Sequence, residues 1–179
     1  HLDSVLHPQL AGAGTPLCTG LGASPGAAVG RVYFTAEDAV RASIRGERVL
    51  LVRSETSPED VRGMMVAEGV LTTRGGLVSH AAVVARGWGT PAVVGAEAVR
   101  IDGKQFRVGD TVVHEGDFLT LDGTTGEVML GEARLVASEP PPEFAILLGW
   151  ADRVRSGRLQ VRANADNGTD AREARRLGA

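Results

Sequence analysis

Cysteine occurs once in the 179 residues, at Cys18, and a single thiol cannot build an internal disulfide framework. That fits a reducing, cytoplasmic setting. No catalytic pattern surrounds Cys18, so it reads as an inert small residue in a linker. Aromatic residues make up 4 % of the chain, and no basic stripe interleaves with them, which argues against a nucleic-acid partner. There is no apolar run of membrane-spanning length and no secretory pattern at the N-terminus, so no membrane partner is expected. Neither sign of charge dominates: 19 Lys and Arg stand against 22 Asp and Glu, a formal net charge of −3. A glycine-rich nucleotide loop, a metal-ligand cluster and a second acid/base pair are also missing. His114, between Val113 and Glu115-Gly116-Asp117, lacks a second ligand at metal spacing and reads as a strand-end residue. His1 and His7 fall in a terminal stretch where a solvated role is expected.

Glycine, by contrast, is abundant, with 24 residues. Two of them stand in the most informative run, Leu71-Thr72-Thr73-Arg74-Gly75-Gly76-Leu77-Val78-Ser79-His80-Ala81-Ala82-Val83-Val84-Ala85-Arg86. Ser79 is a natural N-cap, His80 to Arg86 is rich in helix-compatible residues, and Gly87 and Gly89 supply a stop. His80 thus belongs to a first helical turn, where backbone N–H groups lack partners and the helix dipole is positive. A phosphate on the imidazole would find donors there. Gly75 and Gly76 can take positive φ and bring further N–H groups to an anion, although the pair also suits a plain strand-to-helix turn. Arg74 reads equally as a clamp on phosphate oxygens or as an ordinary surface arginine. Arg86, late in the helix, is explained by the dipole. Spacing alone leaves His80 open between a catalyst and a satisfied structural histidine.

Around this run the pattern alternates. Leu10 to Pro16 is small and unpatterned, a linker. Ala28 to Phe34 reads as a strand, and Thr35 with Asp38 as a capping box opening a helix that ends near Gly46. Val49 to Val52 is a buried strand. Ser57-Pro58-Glu59-Asp60 opens a second helix with Val61, Met64 and Met65 inward. Val70 to Thr72 and Pro91 to Val94 are further strands, which makes the middle of the chain α/β. From Ile101 onward, turn pairs such as Asp102-Gly103, Gly109-Asp110 and Asp122-Gly123 separate short strands, a set of β-hairpins. Ser138 to Pro142 is a stiff connector. Beyond it, Phe144, Leu147, Leu148, Ala151 and Val154 recur at helical spacing up to Gly157; Leu159 to Ala163 reads as a strand and Thr169 to Leu177 as a helix.

The run around His80 resembles the phosphohistidine signature of the phosphoenolpyruvate-utilising enzymes, most closely that of the pyruvate, phosphate dikinases. Ser24-Pro25-Gly26-Ala27-Ala28, Leu51-Val52-Arg53-Ser54-Glu55-Thr56-Ser57-Pro58-Glu59-Asp60, His114-Glu115-Gly116-Asp117, Leu121-Asp122-Gly123-Thr124-Thr125-Gly126-Glu127-Val128 and Val161-Arg162-Ala163-Asn164-Ala165-Asp166 resemble it in the same order. The chain departs from the family at Val78, where the family usually carries Thr. Plant dikinases are regulated by phosphorylation of that Thr, and Val78 has no hydroxyl to modify.

The resemblance implies an α/β fold: a swivelling β/β/α phosphohistidine domain over 21–137, preceded over 1–20 by the end of a nucleotide-binding domain and a linker, and followed over 138–179 by a linker and the truncated start of a TIM barrel that binds phosphoenolpyruvate and pyruvate. It implies that His80 is catalytic, with Arg74, Gly75, Gly76 and Ser79 around its phosphate. The implied role is a phosphotransferase's carrier, taking ATP, phosphate and pyruvate to AMP, diphosphate and phosphoenolpyruvate, with Mg2+ held by other domains. The implied partners are the ATP-grasp domain and the barrel of the same enzyme, in a homodimeric parent. A phosphoenolpyruvate synthase, the first enzyme of the bacterial sugar phosphotransferase system, and an inactive homologue that only docks partners are the other readings.

Overall fold

The computed structural model describes residues 7–12, 14–136, 142–160, 162–163 and 168–176. They fall into two units, His1–Ser138 and Glu139–Ala179.

In the first unit, three β-α-β steps build the centre. β4 (Ala27–Tyr33) leads through α1 (Ala36–Ile44) to β5 (Val49–Arg53). A 3-10 turn (Pro58–Asp60) and α2 (Val61–Val66) lead to β6 (Gly69–Thr72), and α3 (His80–Trp88) leads to β7 (Ala92–Val94). The four strands are parallel in the order β4-β5-β6-β7. β2 (Cys18–Thr19), β12 (Glu127–Leu130) and β11 (Phe118–Asp122) extend the sheet antiparallel beyond β4, and β3 (Leu21–Ser24) closes the other edge on β7. A second sheet joins β8 (Arg100–Asp102), β9 (Gln105–Val108) and β10 (Thr111–His114) as antiparallel hairpins.

Strand periodicity divides the core. Leu50 and Val52 belong to one apolar cluster together with Leu119, Leu121, Phe106 and Val113, which joins the large sheet to the small one. Val49 and Leu51, on the opposite face, belong to a second cluster with Ala39, Ala42, Met64, Ala81, Ala82 and Ala85 from the helices. The result is three layers, small sheet, large sheet, helices, the β/β/α arrangement expected. Small alanines on the helices let them lie close to the sheet, and Val49, Leu50, Leu51 and Val52 are fully buried, as the central strands of a covered parallel sheet should be.

The local signals at the helix starts are observed. Thr35 caps α1 by accepting from the Asp38 N–H at 3.1 Å, and Ser57 and Asp60 form a reciprocal capping box. Met65 is a correction: Met64 is buried, but Met65 is 67 % exposed. Consecutive helical residues point about 100° apart, so only one of the two can face the sheet. Cys18 is also placed differently, in edge strand β2 rather than a linker. It is buried there, and burial pushes its thiol up to about 11. At the expected linker, β1 (Gln9–Leu10) pairs with β13 (Leu135–Val136), and the Ala11 N–H donates to the Arg134 carbonyl, so Leu10 lies in a strand.

The second unit contains α4 (Pro142–Arg155) and α5 (Gly168–Arg176). No residue of α4 is buried. Gly157 takes positive φ two residues after α4 ends. The strand expected at Leu159 to Ala163 is absent among the described residues 159, 160, 162 and 163; a segment of strand pattern needs a neighbouring strand to satisfy its backbone. Residues 137–141, which include most of the expected connector, and Leu177, the expected end of the last helix, lie outside the described residues.

Candidate functional site

β6 ends at Thr72, and the chain turns through 73–79 before entering α3 at His80. Three hydrogen bonds pin the start of that turn: Thr73 N–H to the Arg53 carbonyl, Arg74 N–H to the Ser54 carbonyl, and Ala96 N–H to the Thr72 carbonyl. The Thr72 hydroxyl donates to the Arg74 carbonyl at 2.7 Å. Gly75 has φ +101°, and a Cβ there would lie 3.0 Å from Ser79 Cβ, so the turn requires glycine at this position. Gly76 differs from the expectation: its φ is not positive. Its carbonyl instead accepts from the Ser79 N–H at 2.9 Å.

Ser79 caps α3, its hydroxyl accepting from the Ala82 N–H at 3.4 Å. Among the described residues no backbone carbonyl accepts from the N–H of His80 or Ala81, leaving two donors at the positive end of a nine-residue helix. Gly89, at φ +69°, ends the helix. Gly87 stays inside it, so only the second of the two expected stops acts. Arg86 does more than complement the dipole, since its guanidinium reaches back to the Leu77 carbonyl.

A cleft of about 300 Å³ opens at this helix start, lined by Glu55, Thr56, Thr72, Arg74, Gly75, Ser79, His80 and Ala81. It gathers Arg74, Gly75, Ser79 and His80 from the expected set; Gly76 does not line it. Val78 is 90 % exposed and is not on the cleft wall, so the hydroxyl nearest the histidine in sequence that faces the cleft is that of Ser79.

Thr56 was not singled out by sequence. Its Oγ1 lies 3.1 Å from His80 Nδ1. When Nδ1–H donates to this hydroxyl, the imidazole takes the tautomer whose Nε2 carries the lone pair. The loop bearing Thr56 is itself fixed. Asp60, buried, accepts from the Ser57 N–H at 2.9 Å and the Ser57 hydroxyl at 3.2 Å. Arg53 Nε stands 3.1 Å from the other oxygen of Asp60, and Arg53 also donates to the Phe34 carbonyl at 3.0 Å. Apart from its part in the family resemblance, Thr56-Ser57-Pro58-Glu59-Asp60 carries in sequence only a helix-start signal. Its second role arises because β5 and β6 are parallel neighbours, so the loops at their carboxyl ends meet.

A larger concavity, about 420 Å³, lies between α1 and the 3-10 turn and is lined by Ala36, Glu37, Val40, Arg41, Glu59 and Arg62. Its lining contains no histidine, cysteine, serine or threonine. Among the described residues no group of three His, Cys, Asp or Glu side chains could hold a metal ion, and no helix is long and apolar enough to cross a membrane.

The sequence profile of "PEP-utilising enzyme, mobile domain" matches residues 45–126, which includes Thr56, Arg74 and His80. Over its whole length the chain is 52 % identical to "Pyruvate, phosphate dikinase, chloroplastic" of Flaveria trinervia and 48 % identical to "Pyruvate, phosphate dikinase 1, chloroplastic" of Arabidopsis thaliana. It spans 19 % of the length of each. Among solved structures, the NMR solution structure of an Enzyme I protein aligns with 62 % of this chain and 38 % of its own, at 24 % identity and a TM-score of 0.35.

Proposed function

We propose that the chain, which matches the mobile domain of the PEP-utilising enzymes over residues 45–126, is the phosphoryl-carrier domain of a pyruvate, phosphate dikinase, with His80 as the carrier. The observation that carries the reading is the pairing of Thr56 Oγ1 with His80 Nδ1 inside a cleft that also presents Arg74 and the start of α3. This pairing supports Nε2 as the nucleophile.

In the proposed reaction the Nε2 lone pair attacks the β-phosphorus of ATP. The bond to the α-phosphate oxygen breaks, and AMP leaves with that electron pair. Nε2 has no proton to lose, and Nδ1 keeps its own, held by Thr56. Inorganic phosphate then takes the outer phosphoryl group and leaves as diphosphate. The enolate oxygen of pyruvate takes the remaining group, the N–P bond breaks, and the imidazole returns to its starting form. One difficult transfer is divided into easier ones through a covalent N–P intermediate. The free N–H groups of His80 and Ala81 and the Arg74 guanidinium would bind the phosphoryl oxygens, while Gly75 and Ser79 shape the wall.

The remaining parts of the reading belong to the parent enzyme. We assign ATP to an ATP-grasp domain, pyruvate and phosphoenolpyruvate to a barrel beginning beyond residue 138, and Mg2+ to those domains, in a homodimer in the cytoplasm. A carrier serving two distant sites must swivel, with 11–16 and 138–142 as the segments that turn.

The test is diphosphate formation by the full-length parent given ATP and pyruvate, with and without inorganic phosphate, beside a His80→Asn variant. Phosphate-dependent diphosphate that disappears in the variant is the expected result. Turnover without diphosphate would assign a synthase instead, and no His80-dependent turnover would leave a homologue that only docks partners.

A further inference from the structure

Next to the His80 cleft lies a second groove, of about 290 Å³, lined by Ser54, Thr73, Arg74, Val99, Arg100 and Ile101. Arg74 is common to both. Its lining residues include two arginines, a serine and a threonine and no acidic residue. Among the described residues neither Arg74 nor Arg100 has a side-chain hydrogen bond or ion pair. Thr73, 9 % exposed, also lines the groove.

The small sheet adds a third cation. In the antiparallel pairing of β8 with β9, Arg100 is directly opposite Arg107. Directly opposed residues share a face, and like charges so placed repel. Asp102, two residues along the same face of β8, forms no ion pair with either arginine. An opposed arginine pair beside an unpaired Arg74 is a poor arrangement for stability alone. It suits a doubly charged oxyanion, which would accept from the guanidinium forks and hydroxyls together.

We propose that this groove is a binding site for a phosphate oxyanion, one arginine away from His80. The concave shape, lined by Ser54 and Thr73 beside the arginines, favours a small tetrahedral ion over a carboxylate-bearing protein surface. The site stands on its own geometry; its use, to hold an acceptor phosphate beside the group on His80, rests on the carrier reading. There, Arg74 would contact both the carried phosphoryl and the incoming ion and offset their mutual repulsion.

The experiment is an amide NMR titration of the full chain with inorganic phosphate, at ionic strength held constant with chloride. Saturable shifts at Ser54, Thr73 and Arg100 are expected, with affinity falling about tenfold in Arg100→Gln, as for the loss of one charge-assisted contact, and recovering in Arg100→Lys. His80→Asn should bind phosphate as the native chain does, so failure of the carrier reading would leave this result intact. Tighter saturation by inorganic phosphate than by AMP assigns the free ion, the reverse assigns the phosphate of a nucleotide, and both retain the site. Shifts unaffected by Arg100→Gln, or reproduced by chloride, would overturn the proposal, as would saturation by poly-glutamate but not by phosphate.

Discussion

Thr56 Oγ1 is 3.1 Å from His80 Nδ1 across 24 residues of sequence, so the loop after β5 holds the imidazole at the start of α3. A hydroxyl in that place can accept from Nδ1–H and so favour the tautomer whose Nε2 carries the lone pair.

Replacing Thr56 by Val should therefore reduce the rate of His80 phosphorylation in the full-length parent roughly fivefold, the loss of about 1 kcal/mol of positioning hydrogen bond. Thr56→Ser should restore most of it. Imidazole 15N shifts should show a mixture of neutral tautomers in Thr56→Val and one tautomer in the other two proteins. A rate loss without any change in tautomer would mean that Thr56 acts only through packing.

The two glycines of the turn should separate. Gly75→Ala places a side chain at φ +101°, against Ser79, and should cost about 1–2 kcal/mol in urea unfolding. Gly76→Ala, at ordinary φ and with no atom within 4 Å of the added Cβ, should change stability by less than about 0.5 kcal/mol. Equal effects at the two positions would contradict this description of the turn.

Acid stability has a local contributor just after α1. The Tyr33 hydroxyl donates to Glu47 at 2.7 Å, and Arg45 Nε donates to its other oxygen at 2.8 Å; the tyrosine first, then the arginine, hold the Glu47 carboxyl below its ordinary value of 4.5. A lowered folded pKa gives stability that is present above the ordinary value and is lost as pH falls through the folded one. Glu47→Gln should be less stable than the native chain at neutral pH, and the two should converge as pH falls below 4.5. Urea midpoints measured across that range decide it: a gap that stays constant with pH would remove the carboxylate from the account.

Cys18 should be unreactive in the folded chain, because burial raises its thiol to about 11 and leaves almost no thiolate at neutral pH. Iodoacetamide should label it slowly in native buffer and completely in urea. Rapid stoichiometric labelling without denaturant would show that β2 opens readily at the sheet edge.

Much of the fold was legible locally. Thr35, Ser57 and Ser79 each announce a helix start, and each caps one. The hairpin turns around Gly103 and Gly109 fall where their glycines take positive φ. Legibility failed where the outcome depended on which side of an element met a neighbour. Met64 and Met65 are equally apolar in sequence, but only Met64 faces the sheet. Gly75 and Gly76 are identical in sequence, but only Gly75 is pressed against Ser79. Cys18 lacks a local strand signal and is taken into the sheet by pairing with Val128.

The same division runs through the site. Sequence alone determined the capped helix, the histidine in its first turn and the glycine turn before it, because caps, turns and helix ends depend on residues a few positions apart. Only the tertiary structure decided that Thr56 would meet Nδ1 of His80, that Gly76 and Val78 would stay off the cleft wall, and that Thr73, Arg74 and Arg100 would share a groove. Those contacts follow from β5 and β6 being parallel neighbours and from the small sheet covering the large one. Strand pairing joins residues distant in the chain through backbone hydrogen bonds that every residue type except proline can make, so no local pattern encodes it.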